Sequence, residues 1–345
     1  SQAARLVLKD CPAIDLAGLF EGNASFGDML DVVNGTAGPE KLSQIALLHE
    51  GEYIAFTERA PKTAPNLSIR PFYHNLRIGE YSPMHGRIGV YYWLWPEETR
   101  ASTVLGNVGC RAQCTFCSVR DFNGRGVFDR PAVDVVDELE YLRDTYGINH
   151  VMWLDDDLFF GDPVRLFNEM ARRNLGITWD ASNGIIASAL TEEIASAAYE
   201  SGCIALSIGV ESGNAEVLKI VKKPSAPKHF YRCMEILHKY PRIFVRFLLM
   251  VGFTPNRKMG FGGETIEMVR DTIRLTVEAR PDWSTIQPLN LIPGVPITND
   301  AIEEGIITEK ELIDGSERPF TGSTGKAEKM KRGLQETPSF TNYLD

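Results

Sequence analysis

From about residue 99 onward the chain alternates short β-branched and aromatic runs with helical patterns, and this alternation restricts the fold more than any other feature. Strand-like runs cover Thr103–Val108, His150–Leu154, Thr178–Ser182, Ala205–Val210, Phe244–Val251 and Ser284–Leu291. Helical periodicity fills the gaps over Pro131–Tyr146, Pro163–Arg173, Thr191–Ser201, His229–Lys239 and Glu264–Ala279. Strands that are separated by helices need crossovers, and right-handed crossovers lay such strands parallel in one sheet. No glycine-rich dinucleotide turn opens the first unit, so a partial (β/α)6 TIM-like barrel, an α/β fold, fits better than a doubly wound nucleotide-binding sheet. Barrels of this kind keep their chemistry at the C-terminal ends of the strands.

Residues 1–98 read differently, with a short helix near Phe26–Val33, strands at Gln44–Leu48 and Glu52–Thr57, and a loop rich in Pro and Asn over Ala60–Pro71. Trp93, Trp95 and the tyrosines beside them read as a packed edge rather than a lid over a substrate. The expected division is an N-terminal region and linker (1–98), the barrel (99–297) and a tail or small helical extension (298–345). The net charge of −10 excludes a broad nucleic-acid surface, because phosphate binding needs clustered Lys and Arg. The basic cluster Lys326–Arg332 includes a Glu and reads as a solvated helical face. No apolar run reaches the roughly 18 residues of a membrane helix, and Ser1–Asp10 lacks the order of a signal peptide, so a soluble, cytoplasmic protein is expected. The chain does not begin with Met and opens in mid-pattern, which leads us to expect a segment before Ser1.

Six cysteines are too few for a disulfide scaffold in a chain of this length, and three of them fall within eight residues. Cys11, Cys203 and Cys233 are scattered and are expected to act as small buried hydrophobes. The others stand in Gly109-Cys110-Arg111-Ala112-Gln113-Cys114-Thr115-Phe116-Cys117, at the end of the first strand. Three thiolates on one loop reach three corners of a compact iron-sulfur cluster and leave one iron without a protein ligand. A structural zinc site or an electron-transfer ferredoxin needs a fourth ligand, and none stands nearby at a suitable spacing.

The other strand ends carry further polar residues. Asp155, Asp156 and Asp157 follow the second strand, where a carboxylate either accepts charge-assisted hydrogen bonds from a ligand ammonium or caps the next turn. Period-2 alternation puts Ser207, Gly209 and Glu211 on one face of the fourth strand. Asn183 ends the third strand, and Arg246 stands inside the apolar run Phe244–Val251, where it requires a ligand carboxylate or a structural acid as partner. The loop Thr254–Gly263 is long and Gly-rich, either a mobile substrate lid or a tolerated insertion.

The Cys-x3-Cys-x2-Cys spacing, with Phe116 just before the last Cys, resembles the signature of the radical S-adenosylmethionine superfamily, and the likeness extends over about residues 99–297. That resemblance implies a [4Fe-4S] cluster on Cys110, Cys114 and Cys117, with S-adenosylmethionine chelating the open iron through its amino and carboxylate groups. It further implies reductive cleavage of a carbon-sulfur bond to a 5′-deoxyadenosyl radical, fed by an electron donor such as a flavodoxin or ferredoxin. The cofactor-binding residues it implies are Phe116, the acidic pair Asp156 and Asp157, Asn183, Ser207, Glu211 at the ribose hydroxyls, and Arg246. Many relatives carry Arg near Asn183, so the chain departs from the pattern there. Gly-Val-Glu-Ser-Gly at 209–213 and Ile-Pro-Gly-Val-Pro at 292–296, with Val295 in place of Thr, resemble the branch that also binds cobalamin. Leu16–Val33 resembles the tail of its corrin domain and Glu50–Tyr73 the following linker, although an Asp-x-His-x-x-Gly signature does not occur. The resemblance thus implies an N-terminal remnant of a cobalamin-binding Rossmann-like domain and a cobalamin-dependent methyltransferase acting on a small molecule. Radical cyclisation or rearrangement without methyl transfer is the alternative, and an iron-sulfur electron-transfer or sensing protein the alternative of another class. A methylthiotransferase would need a second upstream Cys triad, which the chain lacks.

Overall fold

The computed structural model describes residues 2–312 apart from 21, 23–24, 59–69, 77, 79–89, 97 and 310. Most of the Ala60–Pro71 loop, the Lys326–Arg332 cluster and the rest of the tail therefore lie outside the described residues.

At the N-terminus, β1 (Leu16–Gly18), β2 (Ile45–His49) and β3 (Glu52–Phe56) pair antiparallel in one small sheet. The helix Gln2–Asp10 covers it through Leu8, which is buried with Leu19 and Ala46. The expected Rossmann-like remnant therefore differs from what is observed, since such a unit would show parallel strands joined by a helix. The short loop through Glu50 and Gly51 is the physical reason, because it closes β2 and β3 into a hairpin. Cys11, expected inside, is exposed, because it follows the last turn of the helix.

The central sheet confirms the partial barrel. β4 (Ala101–Val104), β7 (His150–Trp153), β8 (Thr178–Ile185), β9 (Cys203–Glu211), β10 (Phe244–Val251) and β11 (Trp283–Pro288) lie side by side in chain order, every neighbouring pair parallel. Between β4 and β7 the short strands β5 (Asn107–Cys110) and β6 (Gly126–Asp129) form a separate antiparallel pair. The first sequence-expected strand, Thr103–Val108, is thus two strands. The break comes from Asp155, whose carboxylate accepts the N–H groups of Gly106 (3.0 Å) and Asn107 (2.7 Å) and turns the chain out of the sheet.

One face of the sheet is apolar and packs on the helices. Trp179 stacks on Phe167 of the helix Pro163–Arg172, ring centroids 4.9 Å apart, with Trp153 edge-on to both. Period-2 alternation sends His150, Asp180, Ser207 and Arg246 to the opposite face, the barrel interior. Residues 91–95 close the N-terminal end of that interior: Tyr91 shares a 2.6 Å hydrogen bond with Ser207, and Trp95 lies 4.5 Å from the ring of His150. Tyr91 and Trp95 are buried there, whereas Tyr92 and Trp93 stay largely exposed. With the floor sealed, ligands have the C-terminal ends of the strands as their entrance. No helix among the described residues is long and apolar enough to cross a membrane.

Candidate active site

The cysteine loop leaves β5 at Cys110 and returns through the short helix Val119–Asn123 to β6. Gly109 has φ of +96°, and a Cβ there would stand 2.4 Å from the carbonyl oxygen of Gly126, so only glycine permits this approach of β5 to β6. Thr115 stitches the loop to two later segments: its N–H donates to Val221 O and its carbonyl accepts from Ile297 N, each at 3.0 Å. Phe116 packs 6.4 Å from Phe253, next to a buried cluster of Val217, Ile220, Val221, Phe261, Val295 and Ile297. The loops after the last three strands therefore buttress the cysteine loop from behind. Among them, residues 254–263 form a compact turn rather than a free flap. Asn256 and Phe261 are bridged, and Glu264 folds back to accept the N–H groups of Gly252 (2.5 Å) and Phe253 (3.4 Å).

Cys110, Cys114 and Cys117 are free thiols that line one cavity of about 150 Å³ together with Phe116, Asp156, Asn183, Glu211 and Lys223. Burial pushes the thiols of Cys110 and Cys114 up to about 11 and raises that of Cys117. The cavity thus stores the thiols protonated, and binding iron would release their protons. Among the described residues no group of three or more Cys, His, Asp or Glu converges on a single metal-ion position. Three soft ligands from one loop, spread around a shared cavity, fit a multinuclear iron-sulfur cluster better than one ion.

Asp156 and Asp157 part company. Asp156 lines the cavity and accepts from Asn123 Nδ2 (3.0 Å), and burial raises its carboxyl. Asp157 turns away to Arg111 and is not among the cavity-lining residues, a departure from its expected cofactor contact caused by that bidentate pairing. Asn183 lines the cavity and donates from Nδ2 to the carbonyl of Leu154 (2.9 Å), tying the end of β8 to the end of β7. Glu211 lies at the end of β9 with φ of +64°, where the pairing with β10 skips one residue between Leu248 and Leu249. Its carboxylate meets Lys223 Nζ at 2.8 Å. Burial pulls the Lys223 ammonium down, but Glu211 and the nearby thiols outweigh it and hold the ammonium above its usual range. Ser207 and Arg246 sit deeper than the cavity. Arg246 donates to Ser207 Oγ (2.9 Å) and to Ser182 O (3.3 Å) and lies over the Tyr91 ring, so its partners are neutral groups rather than the expected ligand carboxylate or structural acid.

Sequence reasoning missed Lys223 and Asn123. Lys222-Lys223-Pro224 reads as a solvated turn, and nothing local signals that the second lysine is drawn inward. The one available clue is Gly209, where a Cβ would stand 2.7 Å from Lys223 Nζ.

Chemically, the cavity sets three thiols beside an ammonium and two carboxylates, a surface that suits a metal cluster and a zwitterionic ligand together. A family model described as the radical SAM superfamily matches residues 104–276, a span that includes all of these lining groups. The chain belongs to the radical SAM superfamily. It is 26% identical over 331 residues to cytidylyl-2-hydroxyethylphosphonate methyltransferase of Streptomyces wedmorensis, covering 88% of this chain and 60% of that protein. It is 28% identical over 199 residues to bacteriochlorophyllide d C-12(1)-methyltransferase of Chlorobaculum tepidum, covering 56% of this chain and 41% of that one. Among solved structures it shares its fold with TsrM from Kitasatospora setae, described as a radical S-adenosylmethionine methyltransferase with cobalamin and a [4Fe-4S] cluster bound. That match has a TM-score of 0.65 at 18% identity and covers 88% of this chain and 57% of that one. The chain spans about three-fifths of the length of the first of these radical SAM relatives.

Proposed function

We propose that this chain is the catalytic core of a cobalamin-dependent radical SAM methyltransferase acting on a small molecule. The observation that carries the reading is the single cavity at the C-terminal strand ends, where the thiols of Cys110, Cys114 and Cys117 meet Asp156, Glu211 and Lys223. A [4Fe-4S] cluster held by those thiols supplies the electron for reductive cleavage of S-adenosylmethionine.

The chain's own residues orient and shield the reactants. Asp156 offers a carboxylate to the ligand's ammonium, Glu211 stands within reach of the ribose hydroxyls, and Lys223 offers the complementary charge to the ligand carboxylate. Phe116 and the apolar buttress behind it keep water away from the cysteine loop. Asn183 holds the ends of β7 and β8 in register around the opening. Residues 99–297 form the barrel unit in this reading, with 1–98 before it and 298–345 after it. Six free cysteines suit a reducing, cytoplasmic setting and an electron donor such as a flavodoxin or ferredoxin.

Methyl transfer is supported by the methyltransferases that the chain resembles, and cobalamin by the corrin bound in TsrM. The described N-terminal residues form a small antiparallel sheet without a corrin cradle, so no step here is assigned to cobalamin. The test is anaerobic reconstitution with iron and sulfide, then reduction with S-adenosylmethionine, with and without methylcobalamin. S-adenosylhomocysteine that forms only with methylcobalamin supports methyl transfer. If 5′-deoxyadenosine alone forms, cyclisation or rearrangement takes its place. If the cluster assembles and neither product forms, an electron-transfer or sensing role does.

A further inference from the structure

Asp157 is a buried acid without a place in the cavity, and its use follows from its partner. Its side chain is 1% exposed, yet it accepts from Arg111, whose side chain is 39% exposed, in a two-pronged pair: Nε to Oδ2 at 2.6 Å and Nη2 to Oδ1 at 2.9 Å. The backbone N–H of Arg111 donates to the same carboxylate (3.3 Å), and Nη2 also reaches Phe159 O (2.6 Å). The guanidinium lies 5.3 Å from the Phe160 ring. Arg111 follows Cys110 directly and precedes Cys114 by three residues, so these contacts tie the first half of the cysteine loop to the end of β7. Such a fork has one geometry, unlike a lysine contact, and therefore fixes direction as well as distance.

We propose that Arg111 and Asp157 form a clamp that holds the cysteine loop in its cluster-accepting shape, so that this positioning pair governs how firmly the cluster is retained rather than whether the barrel folds. The inference rests on the reading of Cys110, Cys114 and Cys117 as cluster ligands. Partners that orient metal ligands commonly change metal affinity by 10–100-fold when removed. The clamp adds no ligand and touches no substrate. Because the carboxylate is buried and the guanidinium half-exposed, removing the carboxylate leaves the remaining charge able to turn to water, which keeps the cost to folding small.

The experiment measures loss of cluster absorbance after addition of an iron chelator to the anaerobically reconstituted protein, with the EPR spectrum of the reduced cluster and the thermal melt of the apoprotein recorded in parallel. We expect Asp157→Asn to release iron about tenfold faster than wild type with an altered EPR line shape and an unshifted apoprotein melt. Arg111→Lys, which keeps the charge but not the fork, should fall between the two. The double variant Arg111→Gln/Asp157→Asn, which leaves no unpaired charge, should release iron no faster than Asp157→Asn, as expected when both changes break one interaction. Release at the wild-type rate in all three variants would overturn the clamp and leave the cluster assignment intact. A wild-type chain that assembles no cluster would instead overturn the assignment, and the clamp with it.

Discussion

Lys223 Nζ lies 2.8 Å from Glu211 Oε1 in space that exists because residue 209 has no side chain. A Cβ at that position would stand 2.7 Å from the ammonium and 3.0 Å from the carboxylate. Gly209 is therefore part of the cavity's charge arrangement, although it carries no charge itself.

Gly209→Ala should displace the ammonium without unfolding the barrel, because the clashing atom is the end of a flexible side chain. The dissociation constant of S-adenosylmethionine from the reconstituted protein should rise about tenfold, or about 1.4 kcal/mol, with the melting temperature nearly unchanged. Equilibrium binding on the wild type and the variant checks this, and equal constants would contradict it.

The loop after β10 should behave as part of the core. Phe253 is 2% exposed and packs toward Phe116, so Phe253→Ala should cost about 3–5 kcal/mol in denaturant unfolding. Limited proteolysis of the variant should open new cleavage within residues 252–264. Native wild-type protein cut readily in that segment, with the variant unchanged in stability, would restore the lid reading.

Asp155 gives the pH dependence a sign. Burial pushes its carboxyl up to about 7, with the N–H bonds from Gly106 and Asn107 pulling it partly back. A folded-state value above the usual unfolded value of about 3.9 means that the proton binds the native state more tightly. The contribution to stability is fully present below about pH 4 and is lost as the pH rises through about 7. The urea midpoint of the wild type should therefore fall between about pH 5 and pH 8 relative to that of Asp155→Asn, which cannot ionise. A constant difference between the two curves would contradict the assignment.

The parts of the fold that were legible in the sequence are those written in local periodicity. β10 was bounded correctly from its apolar run, and the other parallel strands appear where alternation placed them. The cysteine loop was legible for the same reason, since its three ligands lie within eight residues. What was hidden depends on residues far apart in the chain. The end of β4 is decided by Asp155, about fifty residues later, and the separate roles of Asp156 and Asp157 are decided by Asn123 and Arg111. Lys223 looked solvated because its neighbours are Lys222 and Pro224, and its burial follows from a glycine on another element.

The most direct measurement is 5′-deoxyadenosine formed on anaerobic reduction of the reconstituted protein with S-adenosylmethionine, wild type against Cys114→Ala. The thiol cavity as the site of a cluster that cleaves S-adenosylmethionine predicts product in the wild type and none in the variant. A wild-type protein that carries its cluster and yields no 5′-deoxyadenosine, or a variant that yields as much as the wild type, would contradict it.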